Sequence, residues 1–339
     1  MARSKFGFVV AYVLADVIRS LCAEAMYALA PDRKPLISIT LVVLLVELSK
    51  FFAAFVIVFF TSGNFGLHDL RHFVVPAILY FANSCLYYWI LTGASVSGLS
   101  LLMHVRLPLT ALVHHFLVKK QESLRAWISL AFVFVGVSLA QFSEHFAFTD
   151  ARVLLVTLII CVNSSVASVV NERTLKTISM PFWDQQLRMY FFGVVSSVVA
   201  VHASIAQGKE MISVGINFEP IARNSAVAHL LSLVGCVASG AAAGILTGFI
   251  IYRLDNVVKV VSNSVITVVV TLASYVTFGI FPFAPLNFFF GTLILAIASF
   301  AYALSVTKDN EGQKASFERK EMPALWKPTK FRARIQAMP

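Results

Sequence analysis

The chain has 339 residues, 58% of them hydrophobic and 13% charged, with a mean hydropathy of +0.81 and a formal net charge of +10. Soluble proteins carry about 25% charged residues, so this chain has too little polar surface to cover a water-soluble globule, and lipid must be the solvent for most of it. The positive balance does not point to nucleic acid, because the cations sit at the ends of apolar runs, where membrane orientation and anionic headgroups account for them.

A helix needs about 20 apolar residues to cross a bilayer. Ten such runs are predicted, at roughly 6–29, 36–60, 73–93, 97–118, 123–142, 151–175, 182–205, 225–252, 256–279 and 284–306. All are expected to be helices, because lipid leaves each backbone polar group to be satisfied within its own segment. The first run carries Asp16, Arg19 and Glu24 and continues too far for the core of a cleavable signal. Connections are short, leaving no soluble domain for separate chemistry. The residues 307–339 form a basic tail, expected to be disordered or surface-lying and cytosolic.

Orientation follows from the Lys/Arg bias. With a cytosolic N-terminus, the cytosolic connections hold Arg3, Lys5, Arg71, Lys119, Lys120, Arg125, Arg173, Lys176, Arg253 and Lys259, ten in all. The opposite side holds five: Arg33, Lys34, Arg152, Lys209 and Arg223. Eight further cations lie in the tail. Both termini are therefore expected in the cytosol. "GVSLAQF" closes the fifth run and "IASFAYAL" the tenth. The expected architecture is an all-α polytopic membrane protein, one transporter domain over 1–306. It divides into repeats of about 6–142 and 151–306, inverted because each holds an odd number of spans.

A charge at membrane depth costs about 3 kcal/mol on insertion scales, so each needs a partner or a task. Asp16 and Arg19 in the first run, and Glu47 and Lys50 in the second, lie three residues apart. Glu172 and Lys176, Asp184 and Arg188, and Asp255 and Lys259 lie four apart. Such spacings share a helix face, and the pairs are expected to be intrahelical bridges that ease insertion. In the third run, "YFANSCLYYW" places Tyr80, Asn83 and Tyr87 on one face beside Ser84, where a base could stack. Tyr88 and Trp89 read as an interfacial belt.

Arg106, in "LLMHVRLPLTALVHH", differs from the other buried charges. Its neighbours three and four residues away are Leu102, Met103, Leu109 and Thr110, none of them acidic. A side chain cannot snorkel over the roughly 15 Å to either end of its span. Arg106 must meet either an acid on another helix or an anionic ligand in a hydrated cavity, where its planar fork suits phosphate. Pro108 leaves the His104 carbonyl without its helical donor, so an unwound backbone is expected here. In the ninth run, "YRLDNVVKVVSNS" aligns Asn256, Lys259 and Asn263 on one face next to Ser262. This stripe reads either as a helix start with ordinary interhelical hydrogen bonds or as an anion site.

Other chemistry is not indicated. Cys22, Cys85, Cys161 and Cys236 lie within apolar runs and read as packing residues. His114 and His115 are adjacent and so make a poor metal pair, and Asn163-Ser164-Ser165 is a sequon inside a span. No nucleotide-binding loop, dinucleotide fingerprint or nucleophile elbow appears. No catalytic residue, metal or cofactor is assigned.

Four stretches together resemble the nucleotide-sugar transporters, the group containing the CMP-sialic acid and UDP-galactose transporters. They are "VPAILYFANSCLYYWIL", "MHVRLPLTALV", "CVNSSVASVVNERTLK" and "AGILTGFIIYRLDNVVKVVSNSV". The last is similar to the family's Gly-rich eighth helix end followed by Lys-Tyr-x-Asp-Asn-x-x-Lys. The resemblance covers most of residues 5–306. It implies ten helices of the drug/metabolite transporter fold in two inverted repeats. The implied activity is antiport of a cytosolic nucleotide sugar, CMP-sialic acid or a UDP-sugar, against luminal nucleoside monophosphate. The implied location is the Golgi membrane, with the ER membrane as the alternative.

The family's phosphate-contacting lysines of helices four and nine fall on Arg106 and Lys259. Asn83, Ser84 and Tyr87 are then expected to line the base or sugar region, and Asn256, Ser262 and Asn263 to supply hydrogen bonds. Partners are nucleotide sugar and nucleoside monophosphate, with membrane lipids around the chain, room for a homodimer and no nucleic acid. Three departures bear on recognition: the family's Gln-Asn-Asn reads Asn83-Ser84-Cys85, a glutamine reads His104, and an Asn-x-Gln reads Gln186-Leu187-Arg188. Two other readings stay open: an exchanger for a different phosphorylated metabolite, and a transport-inactive scaffold or regulator of the same fold.

Overall fold

The computed structural model describes residues 2–28, 37–61, 70–113, 115–116, 123–141, 151–208, 220–253, 256–279 and 285–321. The described chain is helical. In order, the helices are α1 (Ala2–Ala28), α2 (Ile39–Thr61), α3 (Arg71–Ile90), α4 (Val96–Leu102), α5 (Arg106–Val113), α6 (Leu124–Gln141), α7 (Ala151–Thr177), α8 (Phe182–Ala206), α9 (Pro220–Arg253), α10 (Asn256–Phe278) and α11 (Pro285–Glu321). Among the described residues, seven segments are long and apolar enough to cross a membrane, the α4–α5 segment counted as one. Two further apolar helices, Leu124–Ala140 and Ser262–Phe278, are shorter. The chain is therefore a polytopic membrane protein.

Local sequence sets the helix ends. α9 and α11 begin at Pro220 and Pro285, where the missing N–H is not needed and φ is already helical. Gly208 and Gly279, just beyond α8 and α10, adopt φ of 69° and 66°, the left-handed geometry that ends a helix without a Cβ clash. Helix α11 runs on to Glu321, so residues 307–321 continue the last helix. No Gly or Pro interrupts the backbone ladder there beyond Gly312 before Pro323. Residues 322–339 lie outside the described part.

The bundle is apolar outside, as a lipid solvent requires, and encloses its polar groups within an otherwise apolar interior. Phe60 is 80% and Val276 83% exposed, whereas Glu47 is 3% and Gln186 0% exposed. α1 packs along α9, α2 along α8, α3 along α7, and α6 along α11, while α10 touches α1, α4 and α11. The α6–α11 crossing brings backbones together. A Cβ at Gly136 would lie 2.8 Å from the Leu295 nitrogen, and one at Gly291 would overlap the Ala140 backbone. Small residues permit this approach, and dispersion over the close surfaces replaces the hydrophobic drive that lipid cannot supply.

Two contacts fix which helix ends share a face of the bundle. The Tyr27 hydroxyl, near the end of α1, donates to the Tyr88 carbonyl near the end of α3 at 2.6 Å. Glu24, 1% exposed, accepts from the Val96 N–H at the start of α4 at 2.6 Å. Helix starts leave N–H groups unsatisfied. Here a carboxylate from another helix serves α4, together with Ser95, whose hydroxyl accepts from the Gly98 N–H at 3.3 Å.

Candidate functional site

A cavity of ≈ 290 Å³ lies among α1, α2, α3, the α4–α5 break, α7, α8, α9 and α10. Sites for small molecules usually run from about 300 to 1,000 Å³, so this space suits a compact ligand or part of a longer one.

Arg106 reaches the cavity because its helix is broken. Met103–Val105 form a 3-10 turn between α4 and α5, and α5 starts at Arg106 itself. Pro108 sits in the first turn of α5, where an N–H is dispensable, and it denies His104 the donor that would continue α4. Side-chain hydroxyls reinforce the broken segment, in which the Arg106 N–H still donates to the Met103 carbonyl. Thr110 Oγ1 and Ser165 Oγ both donate to the Arg106 carbonyl, at 2.8 and 3.2 Å. The guanidinium lines the cavity and donates from Nη1 to Ser164 Oγ at 3.0 Å. Among the described residues no carboxylate pairs with it. Of the two environments open from sequence, Arg106 occupies a cavity wall.

Lys259, in the first turns of α10, is 7% exposed and lines the same cavity. It has no hydrogen-bond partner among the described residues, although Arg106, Asp16 and Glu172 are near enough for their charges to act on it. Since its side chain points into the cavity, it leaves the tally of cations flanking the cytosolic ends. Asn263, one turn on, accepts from the Tyr12 hydroxyl at 2.9 Å and so ties α10 to α1. Ser262 is buried but is not among the cavity-lining residues, because it lies a third of a turn away from the Lys259–Asn263 face. The Asn256 side chain and all of Asp255 fall outside the described residues.

On α3, Asn83, Ser84 and Tyr87 all line the cavity. Asn83 Oδ1 accepts from Asn163 Nδ2 at 3.0 Å, and the same amide donates to the Leu79 carbonyl at 3.0 Å. Ser84 donates back to the Tyr80 carbonyl at 3.0 Å. The Tyr87 ring is covered by the Arg19 guanidinium, whose carbon lies 4.6 Å from the ring centroid. Of the two rings that sequence offered for base stacking, Tyr87 is covered by a cation, while Tyr80 also lines the cavity.

Sequence reading passed over several lining residues. The Asp16–Arg19 and Glu47–Lys50 pairs form as their spacing predicts, at 2.8 and 2.6 Å, but both face the cavity. Lys50 also lies 4.9 Å from the Tyr190 centroid. Gly240, Gly244 and Gly248, spaced four apart on α9, make room for these groups. A Cβ at Gly244 would lie 2.9 Å from Lys50 Cδ, and one at Gly248 would lie 3.0 Å from the Gln186 amide. The depth of both pairs within their spans, and the four-residue glycine spacing, are the signals that could have marked them. The Asn163-Ser164-Ser165 run, read only as an inaccessible sequon, supplies partners to Asn83, Arg106 and the Arg106 carbonyl in turn. Glu172 and Lys176 pair at 2.5 Å. Arg188 donates to its own helix at the Asp184 carbonyl, at 2.7 Å.

Of the three departures, His104 lines the cavity, with Nδ1 3.0 Å from the Ser100 carbonyl and Nε2 without a partner among the described residues. Gln186 packs on Gly248 instead. Among the described residues no cluster of three or more metal-ligating side chains occurs.

A family model described as nucleotide-sugar transporter matches residues 3–303. The chain is 29% identical to a probable UDP-sugar transporter protein SLC35A4 of Xenopus tropicalis, over 47% of this chain and 54% of that protein. It is 26% identical to CMP-sialic acid transporter 4 of Oryza sativa subsp. indica, over 70% of this chain and 58% of the relative. It is 24% identical to the UDP-N-acetylglucosamine transporter of Homo sapiens, over 77% and 83%. The chain thus spans little more than half the length of the frog and rice relatives. A solved crystal structure shares the fold at a TM-score of 0.59 and 14% identity, covering 90% of this chain and 96% of that one.

Proposed function

This chain belongs to the nucleotide-sugar transporter family, a family of transport proteins rather than enzymes, and from that premise we propose that it is an antiporter. It exchanges a cytosolic nucleotide sugar, a UDP-sugar or CMP-sialic acid, for luminal nucleoside monophosphate by alternating access. The observation that carries this is the pair Arg106 and Lys259, two cations on one cavity wall with no paired carboxylate among the described residues. They hold the phosphate. Asn83, Ser84 and Tyr87 line the base or sugar region, and Asn263 supplies a hydrogen bond on the α10 side, where Ser262 is buried off the cavity. Like charges around an empty cavity repel and stay hydrated, so an anion that neutralises them favours closure. A carrier that closes slowly when empty exchanges rather than leaks.

Ten membrane crossings over residues 1–306, in inverted repeats of about 6–142 and 151–306, are the architecture that fits this mechanism. The packing supports it. Let α1, α2, α3, α4–α5 and α6 change places with α7, α8, α9, α10 and α11. The contact α1·α9 becomes α3·α7, α2·α9 becomes α3·α8, and α5·α7 becomes α1·α10, all of them observed. The contacts α2·α8, α4·α10 and α6·α11 map onto themselves. The proposed setting is the Golgi membrane, or the ER membrane, with both termini cytosolic.

The test is exchange in liposomes preloaded with CMP, UMP, GMP or AMP. Uptake of labelled nucleotide sugar should accelerate with one internal monophosphate. Uptake that no internal monophosphate stimulates would sink the antiport reading and favour exchange of another phosphorylated metabolite or a transport-inactive role.

A further inference from the structure

The Asp16–Arg19 pair is not arranged as a closed ion pair. Nε and Nη2 of Arg19 both go to the same carboxylate oxygen, Asp16 Oδ1, each at 2.8 Å. Among the described residues, Asp16 Oδ2 and Arg19 Nη1 have no hydrogen-bond partner. The two side chains keep 17% and 21% of their surface open, and both line the cavity. An insertion-easing pair needs none of this. The sheltered alternative is seen at Glu47–Lys50, where the exposures fall to 4% and 12%.

The pair is also held in position. Arg19 lies over Tyr87, and its stem runs past Gly240, where a Cβ would stand 3.5 Å from Arg19 Cδ. It lines the same cavity as Arg106 and Lys259, the cations assigned above to the phosphate.

The chemistry of such a pair is specific. One fixed acceptor beside one fixed donor matches two neighbouring hydroxyls, one donating to the carboxylate and the other accepting from the guanidinium. A phosphate or a sugar carboxylate in the same place would meet the charge of Asp16. A nucleobase edge could satisfy both groups, but the ring on which it would stack here, Tyr87, is already covered by the guanidinium.

We propose that Asp16 and Arg19, supported by Tyr87, form a subsite that reads the hydroxyls of an uncharged sugar carried by the nucleotide. This rests on the transporter reading above and narrows its substrate to a nucleotide bearing a neutral hexose or N-acetylhexosamine. A sialyl or uronyl group is disfavoured by the Asp16 carboxylate.

The experiment is equilibrium binding to purified full-length protein in nanodiscs. The probes are UMP, UDP-glucose, UDP-N-acetylglucosamine, UDP-glucuronate, GMP, GDP-mannose, CMP and CMP-sialate. The wild type should bind at least one neutral nucleotide sugar more tightly than the matching monophosphate. If UDP-compounds bind, UDP-glucuronate should bind about tenfold more weakly than UDP-glucose, the size of one charge-assisted hydrogen bond removed or opposed. Asp16→Asn should narrow that gap. It should weaken the neutral nucleotide sugar about tenfold while leaving the monophosphate within about twofold, which also reports an intact fold. Equal losses for monophosphate and nucleotide sugar, no loss for either, or a wild type that prefers CMP-sialate would overturn the proposal. Should Asp16→Asn prevent insertion, Asp16→Glu keeps the charge and moves the carboxylate by one methylene. An unchanged ranking among the neutral sugars in that variant is again an overturning result. A wild type that binds no monophosphate and no nucleotide sugar removes the transporter reading itself, a different failure.

Discussion

The Arg106 guanidinium donates to the Ser164 hydroxyl at 3.0 Å across the interface between α5 and α7. A hydroxyl orients the cation without neutralising it, so the charge remains available to an anion. A carboxylate in that place would have made Arg106 a structural pair.

Replacing Arg106 by alanine should therefore abolish exchange while leaving protein abundance near normal. Arg106→Lys should retain exchange with a raised KM, since the charge survives but the two-pronged donor does not. Exchange kinetics with quantitative immunoblotting check both, and intact exchange in Arg106→Ala would remove Arg106 from the site.

Ser164→Ala tests the orienting bond by itself. Loss of one neutral-to-charged hydrogen bond corresponds to about 1.5–3 kcal/mol at most. The guanidinium can turn to cavity water, so the expected outcome is a roughly three- to tenfold rise in KM with little change in maximal rate. The KM and rate in reconstituted vesicles decide it.

The glycines of the cavity wall make a third prediction. In Gly244→Ala, the new methyl carbon would stand 2.9 Å from Lys50 Cδ, and in Gly193→Ala it would meet the Glu47 carboxylate directly. Both variants should displace the Glu47–Lys50 pair from its place beside Tyr190 and reduce exchange several-fold. A wild-type rate at normal abundance would show that the pair has no part in transport.

At the α6–α11 crossing the expected effect is on stability. Gly136→Leu and Gly291→Leu place a side chain where backbones touch, and overpacking of this kind costs about 1–3 kcal/mol or more. A lowered thermal midpoint in detergent should appear for each, whereas Gly7→Leu, where an added Cβ would meet open space, should leave the midpoint unchanged.

Glu24 offers a test of the cap that joins α1 to α4. Glu24→Ala leaves the Val96 N–H without its acceptor, and loss of a helix cap costs about 0.5–2 kcal/mol. The variant should melt earlier yet bind ligand with unchanged affinity, because Glu24 is not among the cavity-lining residues. Thermal unfolding with and without nucleotide separates the two effects.

What the sequence determined by itself was everything that depends on neighbours along one helix. The break before Pro108, the Asp16–Arg19 and Glu47–Lys50 bridges, and the absence of an acid on Arg106's own helix all follow from spacings of three or four residues and from backbone chemistry. The inward face of each helix did not follow. In a soluble protein the polar side of a helix marks the outside. Here lipid and much of the protein interior are both apolar, so α2 carries apolar residues nearly all round and no period shows which side turns in. Only the tertiary structure could show that Asp16, Arg19, Glu47 and Lys50 meet Arg106 and Lys259 around one cavity. It alone showed that Arg19 covers Tyr87, and that Asn163, Ser164 and Ser165 hold Asn83 and Arg106 in place. Charges buried in lipid-facing helices must converge on shared water or on each other, and which of them converge is decided by helix packing.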